Sequence, residues 1–332
     1  MAQPVIVLFA PTASGKTALA LEIFGKSSPS FFKGMGELIS ADSMQVYRGL
    51  DIGTAKPSVQ ERAELPHHLI DVREPDEQFS VSDFVSSCDA LCLQIASRGK
   101  IPVIAGGTGF YIRNFILGLP DTPESDPAVR GLLQKRLSEE GGAALYAELC
   151  RIDPASAKKI NENDDYRILR ALEIFYTSGR TKSSFELSAT VRSQYDFCVI
   201  VLSRERDELY ERINRRVDEM FASGLEREVR ALIETRALTS DLPGMQAIGY
   251  REWFRHDYSV PEGIERIRYE IKRDSRKYAK KQYTFMRGIP GAHIIELSGE
   301  DSGREQVLSL LNDFMLKKSL PALDLNCDLD NN

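Results

Sequence analysis

The sequence has few residues of the kinds that build disulfide frameworks, zinc sites or membrane spans. Its five cysteines are an odd number and form no Cys-x-x-Cys pair, which argues against both scaffolds and for a reducing compartment. The four histidines show no metal-ligand spacing. The longest apolar runs, such as Val5–Ala10, fall far short of the roughly 20 residues that a membrane helix needs. No basic-then-apolar leader precedes the first motif at residue 10. We expect a cytoplasmic monomer that contacts no membrane.

Acidic residues outnumber basic ones overall, yet one stretch is strongly basic. The 332-residue chain has 49 Asp and Glu against 43 Lys and Arg, a net charge of −6, which taken alone argues against a nucleic-acid partner. Residues 266–287, however, hold nine Lys and Arg against two acids, so this stretch carries +7 and the remainder −13. Such a stretch indicates a surface for an anionic partner, or else a solvated face of a charged helix.

Strand-like and helix-like segments alternate in the early part of the chain. An apolar run at Val5–Phe9 is followed by helical spacing over Lys16–Phe24. Further strands are predicted at Glu37–Ser40 and Ile101–Ala105, with a helix at Asp83–Ala96 between them. This alternation is typical of a parallel α/β sheet.

The pattern changes near Pro120–Pro123, where helices without a convincing strand begin. Two of these helices are predicted at Pro127–Glu139 and Asp164–Ser178, and a strand at Phe197–Leu202 then resumes the sheet. We therefore predict an α/β fold: a P-loop NTPase-like parallel sheet with helices on both faces and an all-helical insertion domain. The predicted parts are the first part of the core (1–121), the helical insertion domain (122–190), the continued core with its basic helical region (191–318), and an acidic, disordered tail (319–332).

The strongest motif is a phosphate-binding loop. The pattern G-x-x-x-x-G-K-[ST], between a strand and a helix, is matched by Ala10, Pro11, Thr12, Ala13, Ser14, Gly15, Lys16 and Thr17, with Ala10 in place of the first Gly. Backbone N–H groups and the helix N-terminus of such a loop bind phosphate. Lys16 would contact the terminal phosphates, and Thr17 would hold Mg²⁺. The motif alone predicts a nucleotide such as ATP, or another di- or triphosphate.

Polar residues follow other strands at the edge where α/β sheets bind ligands. Asp42 comes after the second strand and begins a polar run with Ser43–Gln45; an ordinary loop capped by Asp42 is the alternative. Gly106–Gly109 brings Thr108 to the same edge, or forms only a tight strand-to-helix turn. Arg216 lies beside the apolar stripe of its helix, where it can reach a phosphate or simply snorkel or pair with an acid.

Eight blocks of the sequence, in this order, closely resemble the tRNA dimethylallyltransferase (tRNA isopentenyltransferase) family. They read APTASGKT, ISADSMQVYRGLDIGTAKP, PHHLID, GGTGFY, DDYRILRALEIF, MFASGLEREV, QAIGYRE and YAKKQYTFMR, and the resemblance covers residues 5 to about 288. It implies a P-loop core with a helical insertion. It also implies transfer of a dimethylallyl group from dimethylallyl diphosphate to N6 of the adenosine just 3′ of the tRNA anticodon, with Mg²⁺ as cofactor. The departures are Ala10, which still permits the turn if its φ is negative, and a long Gly25–Gly36 loop.

The resemblance also assigns roles to residues. Lys16, Mg²⁺ on Thr17, and Arg216 would neutralise the departing diphosphate. Asp42 would take the proton from N6, Thr108 would hydrogen-bond N6 or Asp42, and the adenosine must leave the anticodon stack to reach them. The implied tRNA contacts are Asp42, Ser43, Met44, Gln45, Thr108, Arg130, Tyr166, Arg167, Ile168, Leu169, Arg170, Gln246, Ala247, Ile248, Gly249, Tyr250, Arg251, Lys280, Lys281, Gln282, Tyr283, Thr284, Phe285, Met286 and Arg287.

The sequence is also compatible with two other functions. A P-loop nucleoside or small-molecule kinase would use the same loop, although no arginine-rich lid is found. A non-catalytic RNA-binding regulator would not need Asp42, Thr108 and Arg216 together with a phosphate loop.

Overall fold

The computed structural model describes residues 2–185 and 190–319. Apart from Ser319, which ends the last helix, the predicted tail at 319–332 lies outside the described residues. The chain divides into two compact units, residues 1–116 with 192–332 and residues 117–191. The second unit contains the segment predicted as a helical insertion and begins at Leu117 rather than at residue 122.

A six-stranded parallel sheet forms the first unit. Its strands are β1 (Gln3–Phe9), β2 (Gly36–Ala41), β3 (His67–His68), β4 (Ile101–Gly106), β5 (Tyr195–Arg204) and β6 (Ala292–Leu297), in the order β3-β2-β4-β1-β5-β6. The central strands β1 and β4 are apolar on both faces because both faces of the sheet are buried. This arrangement confirms the parallel α/β prediction.

Along the chain, the helices of the first unit lie between these strands or follow them. They are α1 (Lys16–Phe24), α2 (Val59–Glu64), α3 (Val81–Ser97), α4 (Gly109–Leu117, whose last residue begins the second unit), α9 (Arg206–Ala222), α10 (Leu225–Arg230), α11 (Pro261–Met286) and α12 (Arg304–Ser319). Their starts follow local chemistry: Ser58 and Ser80 form capping boxes with Glu61 and Asp83, and Pro261 occupies the first turn of α11. A short π-helical turn at Ala231–Thr235 follows α10.

The second unit is helical wherever regular structure is described. Its helices are α5 (Pro127–Glu140), α6 (Gly142–Ile152), α7 (Pro154–Ala157) and α8 (Asp165–Ser178). Leu133, Leu149 and Leu172 belong to its apolar core. Helix α8 begins at the side-chain cap of Asp164 and ends at Gly179, whose φ of 70° permits the left-handed C-terminal turn, as the sequence predicts.

Two elements near the end of the chain are missing from the sequence predictions. Strand β6 exposes His293, Ile294 and Glu296, so its apolar pattern is weak, and α12 packs against α1. Both contribute to the core, in which α12 takes part with Val307, Leu311 and Met315. Over the described residues, no helix combines the length and the apolar character required to cross a membrane.

Candidate active site

The loop predicted to bind phosphate, residues 10–17, joins β1 to α1 and is called the phosphate loop below. Left-handed backbone occurs at Ala13 (φ 63°) and Gly15 (φ 95°), whereas Ala10 is not among the described residues with positive φ. Alanine can therefore replace glycine at that position without strain. The N–H of Ala10 donates to the carbonyl of Gly106 at 3.3 Å, which holds the loop to the end of β4.

Two arginines that are not among the predicted site residues hold the phosphate loop. Nε of Arg212 donates to the carbonyl of Ala13 at 3.0 Å, and Nε of the buried Arg204 donates to the carbonyl of Ser14 at 3.4 Å. These bonds fix the orientation of two carbonyls of the loop. Arg212 precedes Arg216 by one helical turn, so the two side chains lie on the same face of α9. This spacing could have identified Arg212 as a site residue from the sequence.

Helix α11 ties the phosphate loop to the loop after β4. Gln282 accepts a hydrogen bond from the N–H of Thr12 at 3.0 Å and donates to the carbonyl of Gly107 at 2.7 Å. A Cβ on Gly107 would lie 2.3 Å from Nε2 of Gln282, and one on Gly109 would lie 2.5 Å from Cβ of Phe285. The glycines after β4 therefore make room for α11 as well as forming a turn.

The carboxylate of Asp42 is fixed by its own loop. Oδ1 accepts hydrogen bonds from the N–H groups of Met44 at 2.9 Å and Gln45 at 3.3 Å. Thr108 accepts a hydrogen bond from the N–H of Ser43 at 3.1 Å, which joins the ends of β2 and β4. Within the described residues, Oδ2 of Asp42 accepts no hydrogen bond. Asp42 thus caps a polar loop and also keeps one oxygen available.

A cavity of about 250 Å³ opens beside Asp42. It is lined by Thr12, Asp42, Ser43, Met44, Gly53, Thr54, Ile213, Arg216, Val217, Met220, Gln246, Ala247, Ile248, Arg251, Ile271, Ser275 and Tyr278. A residue of the phosphate loop, a carboxylate and an arginine therefore share one cavity with apolar side chains from α9 and α11.

Two desolvated cations, Lys16 and Arg216, have no ion-pair partner among the described residues. Burial lowers the pKa of Lys16, and the charge of Arg216 adds to the lowering while Asp42 opposes it. Burial likewise lowers the pKa of Arg216, again opposed by Asp42. Over the described part of the chain, neither cation forms an ion pair within 4 Å. Because desolvated, unpaired cations are stabilised by an anion, this pair suits a phosphate group.

Tyr278 places a phenol in the same cavity. Burial and the nearby charge of Asp42 raise its pKa to about 12, although a hydrogen bond with Thr108 opposes the rise. The group is therefore a neutral hydrogen-bonding phenol at physiological pH. Tyr278 is the first residue of the YAKKQYTFMR block but is not among the predicted site residues.

The described residues hold no cluster of three or more His, Cys, Asp or Glu side chains that could bind a metal ion. Thr17 stands in the first turn of α1, next to Lys16. A hard divalent cation at that hydroxyl would need most of its oxygen ligands from substrate phosphates and water, which is the usual mode for Mg²⁺.

The predicted tRNA contacts on α11 divide by exposure. Lys280, Lys281, Thr284 and Arg287 are exposed, whereas Gln282 and Met286 are buried. Tyr283 donates its hydroxyl hydrogen to the carbonyl of Arg204 at 2.6 Å, and Phe285 packs over Gly109. The block stays a prediction, and its exposed members can reach a macromolecule without rearrangement.

The segment before α11 shows a similar division. Gln246, Ala247, Ile248 and Arg251 line the cavity beside Asp42, whereas Gly249 and Tyr250 are buried. A second cavity of about 630 Å³ shares three lining residues with the first and is strongly basic. It is lined by Ile248, Arg251, Arg273, Asp274, Lys277, Tyr278, Lys280, Lys281 and Thr284.

In the second unit, the predicted contacts surround a buried carboxylate. Arg130 and Arg170 pair with Glu173 at 3.1 and 2.9 Å, and the Arg130 guanidinium lies 5.0 Å from the ring centroid of Tyr166. Tyr166 is 69% exposed. Arg167 is exposed and pairs with Asp164, whereas the Ile168 and Leu169 side chains are in the core of the unit.

Comparisons with known proteins agree with one another. The sequence model of the IPP transferase family matches residues 45–289. "tRNA dimethylallyltransferase 1" of Trichlorobacter lovleyi is 44% identical over 287 residues, 86% of this chain and 91% of that protein. The crystal structure of a full-length tRNA isopentenylpyrophosphate transferase from Bacillus halodurans is similar with a TM-score of 0.66 and 36% identity, over 96% of this chain and 98% of that one.

A eukaryotic dimethylallyltransferase, described as acting on tRNA, is similar with a TM-score of 0.79 and 26% identity, over 95% of this chain and 80% of that one. These comparisons give no support to the kinase alternative. The family match covers most of the chain, and the Trichlorobacter lovleyi relative aligns with 86% of it. The chain therefore belongs to the IPP transferase family, that of the tRNA dimethylallyltransferases.

Proposed function

We propose that the chain transfers a dimethylallyl group from dimethylallyl diphosphate to N6 of the adenosine 3′-adjacent to the tRNA anticodon, releasing diphosphate. The observation that carries the proposal is the cavity shared by Asp42, Arg216 and Thr12. It provides a proton acceptor, a cation and a phosphate loop around a space with apolar walls.

The diphosphate would bind at the phosphate loop. Its negative charge would compensate Lys16 and Arg216, whose pKa values are lowered mainly by burial. As the bond between the allylic carbon and the diphosphate oxygen breaks, charge grows on the leaving group, and fixed cations stabilise that charge more than they stabilise the ground state. Arg204 and Arg212 would hold two carbonyls of the loop in a fixed orientation.

Mg²⁺ fits this site only in company with the substrate. The hydroxyl of Thr17 would be its protein ligand, and phosphate oxygens and water would complete an oxygen shell. When bound, the ion would supply further neutralisation of the diphosphate charge.

Asp42 would act as the general base. The N6 nitrogen forms a bond to the allylic carbon while the carbon–oxygen bond to diphosphate breaks, and the N6 proton passes to the free oxygen of Asp42. The hydrogen bonds from Met44 and Gln45 to the other oxygen keep this carboxylate oriented. Thr108 and Tyr278 would offer hydrogen bonds beside the adenine.

The tRNA would enter along the basic second cavity. The target adenosine has to leave the anticodon stack, because N6 of a stacked base cannot reach a carboxylate at the end of a sheet. Exposed lysines on α11 would contact the tRNA backbone, and Arg130, Tyr166 and Arg167 of the second unit would provide further contacts. We also propose that the reaction takes place in the cytoplasm. We expect the protein to act as a monomer, and analytical ultracentrifugation tests this oligomeric state.

The test is an incubation of the purified protein with Mg²⁺, a tRNA transcript and dimethylallyl diphosphate labelled in the allylic group. We expect label in the adenosine next to the anticodon, located by nuclease digestion and mass spectrometry, with Mg²⁺ omission as a control. Transfer of the γ-phosphate in a parallel reaction with labelled ATP would favour a kinase. Tight tRNA binding without transfer would favour a non-catalytic RNA-binding protein.

A further inference from the structure

Three sequence blocks meet in the first unit at residues that take no part in the proposed chemistry. They are the DIGTAKP loop after Tyr47, the GLEREV segment of α10 and the AIGYRE turn before α11. Their meeting point consists of Glu228 and Tyr250 against the backbone of residues 51–53, and we call it the Glu228–Tyr250 clamp.

The carboxylate of Glu228 is bound by three consecutive backbone N–H groups. It accepts hydrogen bonds from Asp51 at 3.3 Å, Ile52 at 2.8 Å and Gly53 at 3.3 Å. Consecutive N–H groups that converge in this way form an anion-binding concavity. Here the anion is a side chain from α10, so the loop is held by a charge-assisted contact.

Tyr250 completes the clamp. Its hydroxyl donates to Glu228 at 2.6 Å and accepts from the N–H of Gly53 at 3.1 Å, and the residue is fully buried. A Cβ on Gly53 would lie 2.5 Å from the Tyr250 ring. Gly249 has a φ of 103°, a left-handed conformation that favours glycine. Gly53 is therefore required by the contact with Tyr250, and Gly249 by its backbone conformation.

The clamped loop in turn holds Gln45. The side-chain amide of Gln45 donates to the carbonyls of Thr54 at 3.2 Å and Ala55 at 3.3 Å, and its oxygen accepts from Ser40 at 3.1 Å. Gln45 also donates its backbone N–H to Asp42. The loop contributes Gly53 and Thr54 to the cavity that Arg216 and Val217 of α9 also line. Tyr250 and Gln45 thus bind the same loop, Tyr250 at the N–H of Gly53 and Gln45 at the carbonyls of Thr54 and Ala55, and the loop backbone connects them.

We propose that the Glu228–Tyr250 clamp is a positioning device for tRNA recognition: it fixes the 51–55 loop so that the cavity wall formed by Gly53 and Thr54 fits the extruded nucleotide. The inference rests on the proposed function and adds Glu228 and Tyr250 as residues that act through the 51–55 loop and its contact with Gln45. Neither residue touches the reacting atoms.

The test is Tyr250→Phe, with Tyr195→Phe as a matched control. Tyr195 is also buried and donates to a carboxylate, Asp89, at 2.7 Å, but it lies at the start of β5 and outside the cavity lining. We expect Tyr250→Phe to raise the KM for tRNA roughly tenfold, the scale of one lost oriented hydrogen bond, with kcat and the Kd of dimethylallyl diphosphate little changed. Tyr195→Phe should leave the KM for tRNA unchanged.

A raised KM for tRNA with an unchanged kcat distinguishes a positioning role from damage to the fold. Partial unfolding reduces the amount of active enzyme, so it lowers the apparent kcat and leaves KM unchanged. That result for Tyr250→Phe would overturn the inference. Should Tyr250→Phe fail to fold, Glu228→Gln provides the same test, because an amide keeps the shape but presents a donor group to three N–H groups.

A double-mutant cycle with Gln45→Ala identifies the route. If the clamp acts through Gln45, Tyr250→Phe adds little to the KM of the Gln45→Ala enzyme, whereas additive effects would refute that route. Equilibrium binding of the anticodon stem-loop repeats the cycle without turnover. If the proposed transfer reaction is not observed, the binding cycle still tests the clamp. An additive cycle would refute the route through Gln45 without contradicting the proposed transfer reaction.

Discussion

Two exposed lysines near the end of α11 allow a quantitative test of RNA binding. The charge of the basic stretch is partly compensated within the fold: Lys272 pairs with Asp218 at 2.6 Å, and Arg273 pairs with Asp274 at 2.9 Å. Lys280 and Lys281 are exposed, line the basic cavity and form no ion pair within the described chain. They are therefore available for phosphates of the tRNA.

The size of their contribution follows from counterion release. Each phosphate contact with single-stranded nucleic acid contributes a slope of about −0.7 in log K against log salt, so removing both lysines should flatten the slope by about 1.4. Between roughly 50 and 200 mM salt, the affinity advantage of the wild type over the double variant should then shrink about sevenfold. All tRNA sequences should weaken alike, because backbone contacts carry no sequence information.

The assay is the affinity for a tRNA anticodon stem-loop over a salt series, for wild type and Lys280→Ala/Lys281→Ala. The control is Lys26→Ala/Lys33→Ala, which makes the same change in net charge on exposed lysines of the loop after α1. The control should keep the wild-type slope. An unchanged slope in the α11 variant would refute the reasoning and would mean that the tRNA binds elsewhere.

Three further predictions follow from the site and from the second unit. Asp42→Ala should lower single-turnover transfer by about 10²–10⁴ and leave tRNA affinity nearly unchanged, and near-normal turnover would remove Asp42 from the role of base. Lys16→Ala should weaken dimethylallyl diphosphate binding more than tRNA binding in titration calorimetry; in the wild type, diphosphate affinity should fall as pH rises through the lowered pKa of Lys16, and the variant should lack this step. The pKa of Glu173 is lowered because, although burial opposes it, the hydrogen bond from Ser125 and the charge of Arg170 outweigh burial. Its carboxylate therefore stabilises the fold above the unfolded-state pKa, and this stability is lost as pH falls through the native pKa. Glu173→Gln should lower the free energy of unfolding by about 3 kcal/mol near neutral pH. The unfolding free energy of the variant, measured with urea, should also fall less steeply than that of the wild type as the pH is lowered. An equal fall in both proteins would contradict this assignment.

Local patterns in the sequence were enough to predict most elements. The helix predicted at Lys16–Phe24 has these bounds in the structure, and the predicted strand Phe197–Leu202 lies within β5. Such predictions succeed because a buried parallel strand is a continuous apolar run and a helix repeats its apolar residues at a fixed spacing. Strand β6 was missed because the polar His293 and Glu296 interrupt its apolar run.

The sequence also predicted which strand ends would meet. Asp42 and Thr108 each follow a strand, and parallel strands end at one edge, so the hydrogen bond from Ser43 to Thr108 realises the predicted proximity. It could not show which residues of α11 face inward. Gln282 turns toward the phosphate loop while Lys280 and Lys281 face solvent, because the helix packs against glycines after β4.

The sequence by itself determined the parallel α/β class, the place of the loop between β1 and α1, and the family resemblance, because these depend on residues close together in the chain. Only the tertiary structure decided what supports the site. Arg212 reaches Ala13 across 199 positions, Glu228 reaches Ile52 across 176, and Gln282 reaches Thr12 across 270. Each contact exists only where the folded core brings distant backbone groups within hydrogen-bond distance, and no local periodicity records which distant side chain will satisfy a given N–H or carbonyl.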